Sequence, residues 1–160
     1  MKRVLLLLVC ALSVGLFHSC SEDLGESGIE IPEFNLKDLT PTDLYIYKNY
    51  TKPYNVEVIY RWKDSETDVA KNLVPPEEEK VEPFLEILKT VWVDPYVEEA
   101  GSNFLKGLIP KQILLIGSAS YNPDETVTQG TAEGGRKMVL YEINSFSPQN
   151  VTKLKRFIHV

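Results

Sequence analysis

Cysteine and histidine are nearly missing from this 160-residue chain, with two of each. Cys10, His18 and Cys20 all fall within the first twenty residues, so the body of the chain keeps His159 alone. Without a second thiol there, no disulfide and no thiolate metal site is expected. One histidine also argues against a tightly held zinc or a histidine-based triad in this chain by itself. Basic residues are in the minority, 17 against 23 acids, for a formal charge of −6. Such a chain is a poor partner for nucleic acid or anionic lipid. Neither GxxxxGK[ST] nor GxGxxG occurs, which removes the usual signs of a phosphate-binding loop. No apolar run reaches the roughly 20 residues that a spanning helix needs.

The apolar run that is present lies at the start. Lys2 and Arg3 precede Val4 to Phe17, 14 uncharged residues rich in leucine, and Ser19-Cys20 follow. A basic segment, a short apolar segment and a small residue before a cut describe a secretory signal over residues 1–19. The context Leu16-Phe17-His18-Ser19-Cys20 resembles a bacterial lipoprotein box, in which the cysteine becomes the lipidated N-terminus. Cys20 is therefore the expected lipid attachment point. Fatty-acyl chains such as palmitate would hold it to the outer membrane, at about 0.8 kcal/mol per buried methylene. Ser21-Glu22-Asp23 resembles the surface-export signal of Bacteroidetes lipoproteins, which implies exposure at the cell surface. Residues 20–40 read as an acidic, flexible tether. Cleavage before Cys20 removes Lys2 and Arg3 and takes the formal charge to −8.

Residues 41–160 read as one α+β domain with a small mixed sheet and helices on one side. Thr40-Pro41-Thr42-Asp43 opens a helix to about Asn49. Asn55 to Trp62 alternates, with Val56, Val58 and Tyr60 on one face, and predicts a strand. Ser65 to Leu73 reads as a turn or loop. The longest helix runs from Pro75 to about Trp92, with Phe84, Leu85, Leu88, Val91 and Trp92 as its stripe and a kink expected at Pro83. Asp94-Pro95 restarts a helix that Gly101 stops, and Asn103 to Leu108 forms another. Lys111 to Gly117 predicts a strand buried on both faces. Further strands are expected at Thr126 to Gln129 and Arg136 to Ile143, separated by a break over Gly130 to Gly135. Ser147-Pro148 opens a last amphipathic helix carrying Val151, Leu154, Phe157 and Ile158, which has no stop signal before Val160.

Few residues stand out as chemistry. Glu77-Glu78-Glu79 sits at a helix start, where acids favour the dipole and face solvent. Tyr45, Tyr47, Tyr50 and Tyr54 form a possible sugar-stacking face, although tyrosines flanking a first strand are more often packing residues. The glycines of GTAEGG suit an edge strand that another chain can approach, with Thr131, Glu133, Gly134 and Gly135 as candidate substrate-edge residues.

Several stretches together carry a resemblance. TKPYNVEVIYRW, NLVPPE, TVWVDPYVEEAG and NFLKGLIPKQILLIGSASYNPDETVTQGTAEGGRKMVLYEIN resemble a Bacteroidetes family of zinc-binding metallopeptidases. The family is also described as substrate-import-associated zinc metallohydrolase lipoproteins. The likeness runs from about Leu44 to Val160, and GTAEGG with the following strand is its most specific part. It implies a zincin-like domain beside a TonB-dependent transporter, with a peptide or glycan substrate. It also implies an HExxH helix, whose two histidines bind zinc and whose glutamate activates water. That motif is expected beyond Val160, so no catalytic or metal-binding residue carries over to a position here. His159 is not followed by Glu-x-x-His. The expectation is an N-terminal portion that binds no zinc alone, although the full-length family member does. In zincins generally, a sheet edge beside the zinc helix takes up extended substrate by strand addition. By that analogy Thr126 to Gly135 borders the cleft. The alternative is a non-catalytic accessory lipoprotein that binds glycan or peptide.

Overall fold

The computed structural model describes residues 35–150. The expected signal segment, Cys20, most of the expected tether, His159 and nearly all of the expected last helix lie outside the described residues. The described elements belong to a compact unit that begins at Asn35. A first 3-10 turn, Leu36–Asp38, buries nothing, and burial begins at Thr42 in the next helix.

The first helical run starts where the capping residues place it. Thr40 Oγ1 accepts the Asp43 backbone N–H at 3.1 Å, and Pro41 occupies the first position of α1 (Pro41–Ile46). The run then passes the expected end near Asn49. A π-turn, Tyr47–Thr51, leads straight into α2 (Lys52–Tyr54), and Asn55 closes it in the left-handed region. Pro53 explains the π-turn. In a regular helix its ring would collide with the Asn49 carbonyl. Widening the preceding turn lets Lys52 donate to Tyr47 O, five residues back, and carries the chain past the proline.

The same device recurs in the longest run. α3 (Glu78–Leu88) continues through Pro83, then a π-turn, Lys89–Val93, joins it to α4 (Asp94–Ala100) without a break. Asp94 donates to Lys89 O immediately before Pro95. The expected restart at Asp94-Pro95 is therefore corrected to a continuous helical run. The extra residue in the turn also shifts the buried stripe. Val93 is fully buried, whereas Val91, expected in the stripe, is 37% exposed. Gly101, at φ 82°, ends the run and α5 (Ser102–Leu108) follows.

The main sheet has the order β1-β2-β6-β5. β1 (Glu57–Ile59), β2 (Gln112–Leu115) and β6 (Lys137–Leu140) are parallel, and β5 (Gly130–Glu133) is antiparallel to β6. Between β2 and β5, β3 (Ser120–Tyr121) and β4 (Val127–Thr128) form a separate antiparallel hairpin. The sequence shows no signal for β3. The fold is α+β with a small mixed sheet, as expected.

Register sorts the two faces of the sheet. Val58, Ile113, Met138, Leu115 and Leu140 pack on the helices with Tyr50, Phe84, Leu85 and Val93. Phe84 meets Phe146 edge to face at 5.2 Å, and the buried Tyr50 hydroxyl donates to Leu85 O. The opposite face carries Ile59, Leu114, Ile116, Val139 and Tyr141, and no α-helix among the described residues packs on it. The irregular segment Trp62–Leu73 does so instead. Trp62 Nε1 donates to Leu115 O at 3.0 Å, and Trp62 and Leu73 pack on the strands. β2 is buried on both faces, as its apolar run predicts.

Beyond β2 the chain passes through a crowded point. Gly117 donates to Val74 O and its carbonyl accepts from Asn144 N. Asn144 Oδ1 in turn accepts from Glu77 N, just before α3. A Cβ on Gly117 would lie 2.4 Å from Pro75 O and 2.6 Å from Asn144 Nδ2. Gly117→Ala is therefore expected to lower stability by about 2 kcal/mol or more in urea unfolding. Gly107→Ala, in open space on α5, should raise it by about 0.5–1 kcal/mol.

Asp43 ties α1 to the end of β1. Its carboxylate accepts from Tyr60 Oη at 2.8 Å, from Arg61 Nη2 at 2.5 Å and from Thr40 Oγ1 at 3.0 Å. Arg61 also lies over the Tyr60 ring, 4.7 Å from its centre. Burial pushes the Asp43 carboxyl up, but the Tyr60, Arg61 and Thr40 hydrogen bonds outweigh it and hold the pKa below 3.8. Burial, reinforced by the bond to Asp43, pushes the Tyr60 phenol up to about 12. The depressed carboxylate contributes stability above its unfolded pKa, and this is lost as pH falls below 3.8. The raised phenol contributes stability below pH 10 that is lost as pH rises through about 12. Asp43→Asn should cost about 1–2 kcal/mol at pH 7 and flatten the acid limb of the urea midpoint. Tyr60→Phe should flatten the alkaline limb.

Candidate functional site

The glycine pair in GTAEGG makes a hairpin rather than a break. Gly130 to Glu133 is strand, which corrects the expected bend over those four residues. Gly134 and Gly135 turn the chain at φ 57° and 69°, and Arg136 N closes the turn onto Glu133 O at 3.0 Å. Two successive positive φ values are the reason for two glycines. The residues named from the sequence divide accordingly: Thr131 and Glu133 lie on β5, Gly134 and Gly135 in its turn.

Among the described residues β5 is an edge, and its register decides which backbone groups face outward. Glu133 pairs with Lys137, Thr131 with Val139 and Gly130 with Leu140. Tyr141 N donates to Gln129 O at 3.0 Å, one step further along the same register. Antiparallel ladders alternate between hydrogen-bonded and non-hydrogen-bonded pairs. Gln129, Thr131 and Glu133 therefore turn their backbone groups to β6. Gly130 and Ala132 turn theirs away from the sheet, where no other strand pairs among the described residues. These outward residues carry the smallest side chains, and both lie on the helix-covered face.

On the other face, which Thr131 and Glu133 share by register, Glu133 borders a cleft of about 290 Å³. Its floor includes Leu114, Ile116 and Val139, and its far wall is Ser65–Asp68. Lys137 crosses it. Its ammonium donates to Glu66 O at 3.2 Å and stands 3.8 Å from Glu133 Oε2. Glu66 is 71 residues from Lys137 in sequence, and only the fold brings it to the site. Where the strands end, Gln129 Nε2 donates to Glu142 Oε2 at 2.9 Å, bracing the start of β5 against the end of β6.

The remaining candidates fall elsewhere. Tyr50 and Tyr54 are buried in the helix-side core and Tyr45 packs against it, so the tyrosines form no stacking face. Glu78 and Glu79 lie in the first turn of α3, facing solvent. The described residues include no histidine. Among them, no three His, Cys, Asp or Glu side chains converge in a way that would hold a metal ion. No step through zinc is therefore assigned to any described residue. No helix among the described residues is long and apolar enough to cross a membrane.

The model of the family described as "putative zinc-binding metallo-peptidase" matches residues 36–160, which takes in the whole sheet and every helix above. The chain belongs to that family. A solved structure from Bacteroides caccae, described in the same words, is 38% identical and superposes with a TM-score of 0.55. The similarity covers 72% of this chain and 44% of that one, so the chain spans less than half the length of its solved relative. A search of the curated proteins returned no match. The family therefore supplies zinc and peptidase chemistry at its own level, and the structure supplies the hairpin.

The alternation along β5 is directly measurable. Amide hydrogen exchange by NMR should show Thr131 and Glu133 protected and Gly130 and Ala132 exchanging rapidly. A protected Ala132 amide would mean that the edge is covered.

Proposed function

We propose that this chain is part of a lipid-anchored zinc hydrolase that cleaves peptide bonds at the bacterial cell surface. Cys20 is the anchor in this reading, and the outer membrane is the site. A TonB-dependent transporter is the neighbouring partner, with processing of imported substrate as the role. Family membership supports the zinc and peptidase parts. The leader sequence supports the anchor.

The observation that carries the reading within this chain is β5, an antiparallel edge whose Gly130 and Ala132 backbone groups face outward. An extended peptide joining that edge would gain main-chain hydrogen bonds independent of its sequence and lie fixed along the hairpin. Small side chains at the outward positions let a second backbone approach. In this reading the chain's own contribution is to bind and orient the substrate, and the zinc helix supplies the hydrolysis.

Proline substitution separates docking from folding. Ala132→Pro removes an outward N–H that β6 does not use, and edge strands tolerate proline at such positions. The full-length variant should melt within a few degrees of the wild type, yet bind and cleave an extended peptide at least tenfold less well. Thr131→Pro removes a ladder hydrogen bond and should destabilise by about 1–3 kcal/mol. Full peptide cleavage by a folded Ala132→Pro protein would overturn β5 as the docking edge. Peptide binding without zinc or cleavage by the full-length protein would favour a non-catalytic accessory role.

A further inference from the structure

The face of the sheet opposite the helices carries one transverse row of polar side chains. Glu57 on β1 stands beside Gln112 on β2, Gln112 beside Lys137 on β6, and Lys137 beside Glu133 on β5. Two of the three neighbouring pairs in this row interact. Gln112 Nε2 donates to Glu57 Oε2 at 2.9 Å, and Lys137 Nζ lies 3.8 Å from Glu133 Oε2. The row reads acid, amide, base, acid, and it ends at the sheet edge. Its last member is not fully engaged by the row. The Lys137 ammonium is shared with Glu66 O at 3.2 Å, and the Glu133 side chain is 58% exposed.

Directly opposite residues on one face of a sheet are the pairs that matter energetically. Opposite charges there stabilise and like charges destabilise. The next place in this row lies on any strand that joins β5. Resting on the docking-edge reading, we propose that Glu133 selects a substrate peptide bearing lysine or arginine at the position that pairs with it.

The geometry favours such a contact. A strand joining in antiparallel orientation would hydrogen-bond to the outward groups of Gly130 and Ala132. The residue opposite Glu133 would then belong to a non-hydrogen-bonded pair, the kind in which side chains stand closest, with Cα atoms about 4.5 Å apart. Lys137 stands one strand further away, about 10 Å from that position. That is about a Debye length at physiological salt, and its repulsion is correspondingly weaker than the attraction of Glu133. An acidic residue at the same position would face the Glu133 carboxylate directly.

The test uses the full-length protein and uncharged, extended Thr/Val peptides carrying a fluorophore and a single charged residue moved along the sequence. Binding is read by fluorescence anisotropy. At one position the Lys peptide should bind about fivefold more tightly than its Glu counterpart. Glu133→Lys should reverse that order, and 1 M salt should bring the ratio towards one. A ratio taken on one preparation is unaffected by loss of folded protein. A backbone N-methylated version of the Lys peptide reports on strand pairing itself. Binding that N-methylation abolishes, but that ignores the sign of the charge or does not respond to Glu133→Lys, would overturn the selection by Glu133 and leave the docking edge standing. No binding by any peptide, or binding indifferent to N-methylation, would overturn both.

Discussion

The open edge and the cleft beside it both depend on β2, a strand buried on both faces. Ile113 and Leu115 enter the helix-side core, while Leu114 and Ile116 enter the smaller core beneath Trp62 and Leu73. Each such side chain contributes about 1.5–3 kcal/mol when fully buried. The strand therefore cannot slip by one residue without exchanging its two sets of side chains. Both its hydrogen-bonding edges are occupied, by β1 and β6 in parallel. Its exit at Gly117 is clamped between Val74-Pro75 and Asn144, and Asn144 also binds the backbone just ahead of α3. A strand fixed on four sides fixes β6, and β6 fixes β5. The outward edge lies two strands from this doubly buried strand.

An open edge is a hazard as well as a tool, because any extended chain can pair with it. β5 limits that hazard by being short, four residues, and by ending in the Glu133–Lys137 charge pair and a glycine turn. Its outward backbone positions, Gly130 and Ala132, offer almost no apolar surface to an incoming chain. Casual pairing therefore gains little hydrophobic energy, and affinity must come from backbone hydrogen bonds plus whatever the neighbouring side chains recognise. This combination suits transient pairing better than permanent pairing.

Much of the fold is readable in the sequence, for local reasons. The alternation of Val56, Val58 and Tyr60, the continuous apolar run before Gly117 and the caps at Thr40 and Gly101 each encode their element directly. The π-turns are less legible. A proline inside a helical pattern ordinarily signals an end, and nothing in Lys52-Pro53 or Asp94-Pro95 announces that the preceding turn will widen instead. Gly130 to Glu133 lacks the alternating apolar residues of a half-buried strand, since one of its faces is small and the other polar, so it reads as a break. The candidate site is half legible. GTAEGG marks the hairpin, but the cleft beside it depends on Glu66, which reaches Lys137 only through the tertiary fold. The covering of the second sheet face by Trp62–Leu73 has no periodic signal at all, because that segment packs through two isolated side chains rather than a stripe.

The period-two geometry of a strand divides the labour within β5. Alternate residues Gly130 and Ala132 present their backbone outward and keep small side chains on the helix-covered face. Thr131 and Glu133 give their backbone to β6 and carry their side chains to the cleft face. A shift of one residue in the pairing with β6 would swap these roles, pointing the backbone of Thr131 and Glu133 outward and sending Glu133 to the opposite face. The register is set at one end by the Gly134-Gly135 turn and at the other by Gln129, whose carbonyl accepts from Tyr141 and whose amide binds Glu142. The two glycines are thus more than a permissive bend. By fixing which residue of β5 faces which way, they determine where a pairing strand would hydrogen-bond and which charge it would meet.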